Sequence, residues 1–287
     1  MKVVFVNWTL PHIQSTSKKY EMNDFELLAN KVAIVNAIKY TKLPIKLYTD
    51  DIGYKFYKHH HLIHLFDEVD TKTLNDYNKK DINAIGYYTS GKTVALVKER
   101  GPFIFIDNDF ILKSRIPEWI YNYDLVCTHW EINRGEFFIN SDDIKDLGID
   151  FYENMMCPNT SFIFMNNQAL QQRYLLNHNK IIENIKNPSK PIWLLSDQAV
   201  LGYSARKLDL DVASLEDKAY IIYSEHEKSK NEVGYLPNWV DVGLNKHKDK
   251  LDYWHIWWWK SIIKKNDELK KQTVSELLNI LDEKTII

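Results

Sequence analysis

The stretch Phe103-Ile104-Phe105-Ile106-Asp107-Asn108-Asp109-Phe110-Ile111-Leu112 decides how this chain is read. Four apolar residues in a row, entered through Gly101-Pro102, make a run of strand length, too short for a buried helix. A strand apolar on both faces belongs to a sheet covered on both sides, as parallel α/β sheets are. The run stops at Asp107-Asn108-Asp109, whose composition also suits a turn, and apolar residues resume at once. Carboxylates set into an apolar stretch need a partner. On an extended chain, side chains two apart project to one face, so Asp107 and Asp109 are expected to meet one hard cation, Mn²⁺ or Mg²⁺. Such ions complete their shell with water and substrate phosphates, which suits a nucleotide diphosphate.

Upstream the same pattern repeats. Lys2-Val3-Val4-Phe5-Val6-Asn7 is a short apolar run ending in a polar residue and reads as a buried strand. From Asn23 to about Tyr40, the residues Phe25, Leu28, Val32, Val35 and Ile38 recur three or four apart, so a helix follows with Asn23 or Asp24 as its cap. Pro44 ends it, Ile45 to Thr49 forms a second strand, and Leu65 to Val69 a weaker third. This alternation predicts a mostly parallel sheet covered by helices. Sheets of that kind bind ligands at the carboxyl ends of their strands, where the first offers Asn7-Trp8 and the second Thr49-Asp50-Asp51. A nucleotide is expected there.

Downstream, a helix is read from about Gly91 to Arg100, strands at Leu125 to Cys127 and Phe162 to Met165, and a long helix from Gln168 to about Ile185. No Gly- or Pro-rich linker, repeat or low-complexity tract interrupts them, so residues 1–260 are read as one domain. The tail, 261–287, is read as one amphipathic helix over Ser261 to Leu281, packed on or beside that domain with Lys264, Lys265, Lys270 and Lys271 on its wet face. Peripheral contact with a membrane surface is the lesser alternative for it.

Composition narrows the classes further. The chain has 287 residues, 37 basic and 39 acidic, a net charge of −2, with 45% hydrophobic and 26% charged residues, which is ordinary globular usage and excludes general disorder. Near-neutral charge gives no strong nucleic-acid signal. Two cysteines far apart, Cys127 and Cys157, exclude a disulfide framework and a thiolate zinc site, and a cytoplasmic location is expected. No apolar run approaches the length of a transmembrane segment. The excess lies in aromatics, 9 Trp, 17 Tyr and 12 Phe, which suit a large core and a site that stacks rings or sugars.

One motif competes. Gly86-Tyr87-Tyr88-Thr89-Ser90-Gly91-Lys92-Thr93 fits the phosphate-loop pattern letter for letter, yet the segment before it, Lys79 to Asn83, is too polar for the buried strand that such a loop follows. A kinase or NTPase built on this loop stands as an alternative function, as does a non-catalytic carbohydrate-binding protein using the tryptophans alone. Lys92, at the start of a helix beside the site, is expected to pair with a donor phosphate in any case. His59-His60-His61 is read as solvated, because three consecutive side chains cannot converge on one ion from regular structure.

The order of Phe103 to Leu112, then Asn159-Thr160-Ser161-Phe162-Ile163-Phe164-Met165-Asn166, then Asp197-Gln198-Ala199-Val200-Leu201, then His255 with Lys260, resembles the GT-A fold glycosyltransferases. Within them it is most similar to the retaining glycogenin and lipopolysaccharide galactosyltransferase group. That group carries D-x-D at a strand end, an N-[AS]-G-x-x-x-x-N stretch, D-Q opening a helix, and a late H-x-x-G-x-x-K. The likeness runs from about residue 1 to 260. Ser161 stands for the family's glycine, His255 to Lys260 is one residue short, and Trp258 stands for another glycine.

The resemblance implies a single-domain GT-A fold, Rossmann-like in its nucleotide-binding half, and a metal-dependent transfer of sugar from a nucleotide diphosphate sugar to an acceptor hydroxyl. A UDP-sugar donor, a glycan or other hydroxyl acceptor, and retention of configuration are implied with it. It assigns Asp107, Asp109 and His255 to Mn²⁺ or Mg²⁺, and Asn7, Trp8, Asp50, Lys92, Asp107, Asn159 and Lys260 to the nucleotide sugar. Asp197 and Gln198 fall by the reacting carbon. His255 also reads as a packed residue among Trp254, Trp257, Trp258 and Trp259. The Trp-rich segment and the stretch from Glu131 to Met156 are the expected acceptor wall.

Overall fold

A computed structural model describes residues 1–133, 147–149, 156–186, 195–216, 219–222, 228–234, 240–242, 249–256 and 259–282. The first half runs β1 (Lys2–Asn7), α1 (Leu10–Thr16), α2 (Asp24–Thr41), β2 (Ile45–Thr49), α3 (Asp51–His59), β3 (Glu68–Asp70), α4 (Lys72–Asn78), α5 (Ser90–Leu96), β4 (Phe103–Ile106), β5 (Phe110–Leu112) and β6 (Leu125–Cys127). There follow β7 (Trp130–Asn133), β8 (Met156–Pro158), β9 (Phe162–Met165), α6 (Gln168–Asn184), α7 (Val200–Lys207), β10 (Val212–Ser214), β11 (Ala219–Ile222), β12 (Lys228–Gly234), β13 (Val240–Val242) and β14 (Tyr253–His255). Two helices, α8 (Trp259–Lys265) and α9 (Asp267–Asp282), come last.

Among the described residues the main sheet has eight strands in the order β13-β10-β6-β9-β4-β1-β2-β3. Its neighbours are parallel except that β9 runs antiparallel to both β4 and β6. The apolar runs explain this placement. In β1, Val3 and Phe5 face one core and Val4 the other; in β4, Ile104 and Ile106 face the first and Phe103 and Phe105 the second. A strand buried on both faces must be covered twice. Leu74 of α4, Leu96 of α5, Tyr174 of α6 and Leu201 of α7 cover one side; Val32 of α2, Tyr57 of α3, Ile263 of α8 and Leu277 of α9 cover the other. This is an α/β fold with a largely parallel sheet flanked by helices. A second sheet, β12-β11-β7-β8, and the pair β14-β5 lie beside it.

Local chemistry sets the ends. Asn23 caps α2 by accepting from the Glu26 amide at 3.0 Å, while its own amide donates to the Glu26 carboxylate at 2.8 Å. Lys42, at φ 54°, ends α2 before Pro44.

Four expectations are corrected. The helix near 91–100 stops at Leu96. The third strand begins at Glu68, because Ile63–Leu65 forms a 3₁₀ turn. The tail is two helices, because Asn266 accepts from the Leu269 amide at 3.0 Å and so caps a second one. Asp107 to Asp109 is a turn rather than extended chain, closed by the Phe110 amide donating to the Asp107 carbonyl at 3.0 Å. Among the described residues no helix is long and apolar enough to cross a membrane.

Candidate active site

The strand ends of the main sheet line up along one edge, and hydrogen bonds tie them together. Thr49 donates its hydroxyl to the Asn7 carbonyl at 2.8 Å, joining β2 to β1. Asn108 donates to the Val6 carbonyl at 3.1 Å, joining β1 to the turn after β4. The Asp107 amide donates to the Ser161 carbonyl at 2.8 Å, and the Asn159 amide to the His129 carbonyl at 2.8 Å, carrying the row to β9 and β6. The Glu216 amide donates to the Thr128 carbonyl at 3.1 Å, bringing in β10.

Two lysines and three aspartates meet at the centre of this edge. Lys92, on α5, lies 3.1 Å from Asp197 and 3.8 Å from Asp107, and donates to the Thr160 hydroxyl at 2.7 Å. Lys260, on α8, lies 2.7 Å from Asp109. Burial works against the charge of both lysines, and the carboxylates outweigh it: Asp107 and Asp197 for Lys92, Asp109 for Lys260. Both ammonium groups are held above their usual values. Burial pushes Asp107 up to about 7, with Lys92 opposing and Asp109 and Asp197 adding to the rise. Burial would raise Asp109 too, but Lys260 and His255 more than offset it and hold it low.

Asp197 is buried within a single π-helical turn, Leu195–Ala199, a rare geometry that recurs at functional sites. The Thr160 hydroxyl donates to it at 3.1 Å, and the Tyr174 hydroxyl donates to its other oxygen. Tyr174 also bonds the Thr93 hydroxyl at 2.9 Å. Next to Asp197, Gln198 is 5% exposed, and its Oε1 has no hydrogen-bond partner among the described residues. A buried acceptor left in that state is a place for a ligand donor.

The nucleotide half differs from expectation in detail. Asp50 is 1% exposed, and its oxygens are taken up by the Thr9 amide and hydroxyl, by the Gly53 amide and by Asn78. It caps α3 and ties β1 to β2. Asn7 accepts from the Tyr20 hydroxyl at 2.8 Å, while its buried Nδ2 has no partner among the described residues. Trp8 donates to Asn78 at 2.6 Å and packs on Tyr77.

The same indole explains the false phosphate-loop match. A Cβ on Gly91 would stand 2.5 Å from the Trp8 ring, so glycine is required by packing. Thr93 is fully buried against Tyr174, and turns, not a strand, precede α5. A kinase or NTPase built on Gly86 to Thr93 is therefore not favoured.

Asn159 is buried, donating to Glu131 at 2.9 Å and accepting from the Ser161 amide at 3.1 Å. Ser161, standing for a glycine, bonds the Thr128 hydroxyl at 2.8 Å. His255 pairs across strands with Phe110, the residue after Asp109, with ring centroids 5.7 Å apart. Among the described residues no three His, Cys, Asp or Glu side chains are spaced as a metal cluster, and Lys260 holds the Asp109 oxygen. His59 and His61 are exposed at the end of α3. Trp257, Trp258 and most of the stretch from Glu131 to Met156 lie outside the described residues. Sequence reasoning missed Tyr174 and His129, quoted Thr160 only within the stretch Asn159 to Asn166 without giving it a role, and named Glu131 only as one end of the expected acceptor wall. Tyr174 sat inside a segment read as helix, and His129 carried no motif.

No protein-family model matches the chain, and no curated protein matches it in sequence. Solved structures do. Mouse xyloside xylosyltransferase 1, in its apo form, is 12% identical with a TM-score of 0.40 over 72% of this chain and 82% of that one. The galactosyltransferase LgtC, in complex with donor and acceptor sugar analogs, is 10% identical with a TM-score of 0.38 over 68% and 69%. A nucleoside-diphosphate-sugar pyrophosphorylase from Vibrio cholerae is 15% identical with a TM-score of 0.36 over 82% and 95%. Likenesses this distant carry no weight for function, which has to be read from this chain's own side chains.

Proposed function

We propose that this chain is a GT-A-type glycosyltransferase that moves a sugar from a nucleotide diphosphate donor, a UDP-sugar by preference, to a hydroxyl of a glycan or other acceptor. The observation that carries it is the approach of Lys92 and Lys260, from separate helices, to the Asp107–Asp109 turn at the carboxyl edge of the sheet. A departing diphosphate develops negative charge, and buried ammonium groups held in place beforehand stabilise it best.

Asp107, Asp109 and His255 are the donor types a divalent cation takes, though among the described residues they are not spaced as a metal cluster and Lys260 holds the Asp109 oxygen. Three carboxylates face two ammonium groups, and Asp107, pushed up to about 7 by burial with Asp109 and Asp197 adding to the rise, is the group whose charge a bound cation would stabilise. Carboxylate oxygens suit Mn²⁺ or Mg²⁺. Asp107, Asp109 and His255 would hold the ion, which when bound supplies charge neutralisation at the diphosphate. Lys92 and Lys260 then bind phosphate oxygens. Asn7, with its orphan Nδ2, and Trp8 line the nucleoside side. Asp197, oriented by Tyr174 and Thr160, and Gln198, with its orphan Oε1, flank the anomeric carbon, and configuration is retained.

The test is nucleotide release from UDP-glucose, UDP-galactose, UDP-N-acetylglucosamine and UDP-xylose with Mn²⁺, with NMR of the product anomer. Release from at least one donor should fall by about a hundredfold or more in Asp109→Asn and in Lys92→Met. Full activity in Asp109→Asn would sink the metal assignment, and an inverted product would sink retention.

A further inference from the structure

Beyond the lysine–aspartate centre, the same sheet edge carries a second polar cluster that the reading above leaves unused. His129 leaves the end of β6, Glu131 lies two residues on in β7, and Glu216 leaves the end of β10. His129 Nε2 is 3.0 Å from Glu131 Oε1, and Asn159 Nδ2 donates to that same oxygen at 2.9 Å. Because the oxygen already accepts from an amide, the proton of the histidine contact sits on Nε2. With Nε2 turned to that carboxylate, the other ring nitrogen, Nδ1, is left for a further partner.

That Nδ1 is buried, has no hydrogen-bond partner among the described residues, and faces Glu216 Oε1 across 3.9 Å. The gap is too long for a hydrogen bond. The Glu216 side chain is 30% exposed. Its carboxylate is fixed by the Tyr220 hydroxyl at 2.5 Å and by the Tyr253 hydroxyl. The Tyr220 ring stands edge-on to His129 at 4.8 Å, and the Tyr253 ring stacks on Phe110 at 4.5 Å.

An unpartnered ring nitrogen facing a carboxylate is a place for a ligand hydroxyl, which both donates and accepts, whereas a carboxylate, phosphate or sulfate would bring negative charge against Glu131 and Glu216. Aromatic rings beside fixed acceptors suit a ring with apolar C–H faces and hydroxyl edges, which is a sugar. The cluster also adjoins the donor centre, since Asn159, bonded to Glu131, is followed by Thr160, bonded to Lys92 and Asp197.

We propose that His129, Glu216 and Tyr253 form the acceptor subsite, and that it takes an uncharged, hydroxyl-bearing sugar ring and rejects acidic or phosphorylated ones. The proposal rests on the glycosyltransferase reading for the word acceptor, and its test reads the two separately. The full chain, with Mn²⁺ and UDP, is titrated by saturation-transfer NMR with methyl glucoside, methyl galactoside, methyl mannoside and methyl N-acetylglucosaminide. Methyl glucuronide and glucose 6-phosphate serve as acidic counterparts. At least one neutral glycoside should bind, and the acidic ones at least about tenfold more weakly. Glu216→Ala should abolish glycoside binding, and Glu216→Gln should narrow the gap between neutral and acidic ligands, which a misfolded protein cannot do. Equal or tighter binding of the acidic ligands, binding of no neutral glycoside, or full binding in Glu216→Ala would overturn the proposal. Glycoside binding without any UDP signal would instead leave the sugar subsite standing and remove the transferase reading.

Discussion

Asp107 carries a cost that function would explain. Its carboxyl titrates at about 7 in the folded chain, against about 4 in an unfolded one. Between those values the native state binds more protons, so this group makes stability fall as pH rises through the window. In chelator, the melting temperature of wild type should therefore drop more steeply from pH 4 to 7 than that of Asp107→Asn, while the variant loses nucleotide release. Equal slopes would remove the electrostatic account of this carboxylate. Tyr174 works the other way, donating to Asp197 while touching Thr93. Tyr174→Phe should lower stability by about 1.5–3 kcal/mol, as loss of a bond to a charged group does, measured by urea unfolding, and should slow release by about tenfold. Asp107, Asp109 and Lys92 were legible in the sequence because charge stands out inside or beside apolar runs. Tyr174 and His129 were not, because a buried tyrosine on a helix and a histidine after a strand look like core until their partners are known.

At the scale of elements, β1, β2, β4 and β9 could be read directly, since each is an apolar run bounded by polar residues. The short helices α1, α3 and α4 could not. They have 7 to 9 residues, too few for a helical period to repeat, and α3 is held by the Asp50 cap more than by its pattern. That cap is why Asp50 serves the fold and not, by its side-chain oxygens, an open surface. The phosphate-loop match failed for a related reason, as α5 lies against Trp8 with no side chain between them at Gly91. Gly91→Ala puts a methyl 2.5 Å from the indole, and overpacking of this kind should cost about 1–3 kcal/mol despite alanine's better helix propensity. A variant as stable as wild type in urea would contradict the close packing of α5 on β1.

Across the whole molecule, one sheet edge carries Asn7, Trp8 and Asp50 at β1 and β2, the charged centre at β4 and β9, and the His129, Glu131 and Glu216 cluster at β6, β7 and β10. The tail belongs to this plan. Lys260 on α8 reaches Asp109, Lys264 pairs with Glu26 of α2 at 2.7 Å, and Leu277 of α9 is fully buried in the core against α2. Leu277→Ala should cost about 2–5 kcal/mol as a core cavity does, measured by thermal or urea unfolding; a change near zero would mean that the tail is not docked. The sequence showed an amphipathic tail but not its break at Asn266, because a polar residue on a wet face marks no cap until the chain turns there.

The central claim, that Lys92 and the Asp107–Asp109 turn bind a nucleotide diphosphate sugar with a metal, is tested most directly by thermal stabilisation with UDP- and GDP-sugars, with and without Mn²⁺. A ligand that binds only the native state raises the melting temperature by mass action. The account predicts a Mn²⁺-dependent rise with a UDP-sugar that disappears in Lys92→Met and in Asp109→Asn. No rise with any sugar nucleotide, or an equal rise in both variants, would contradict it.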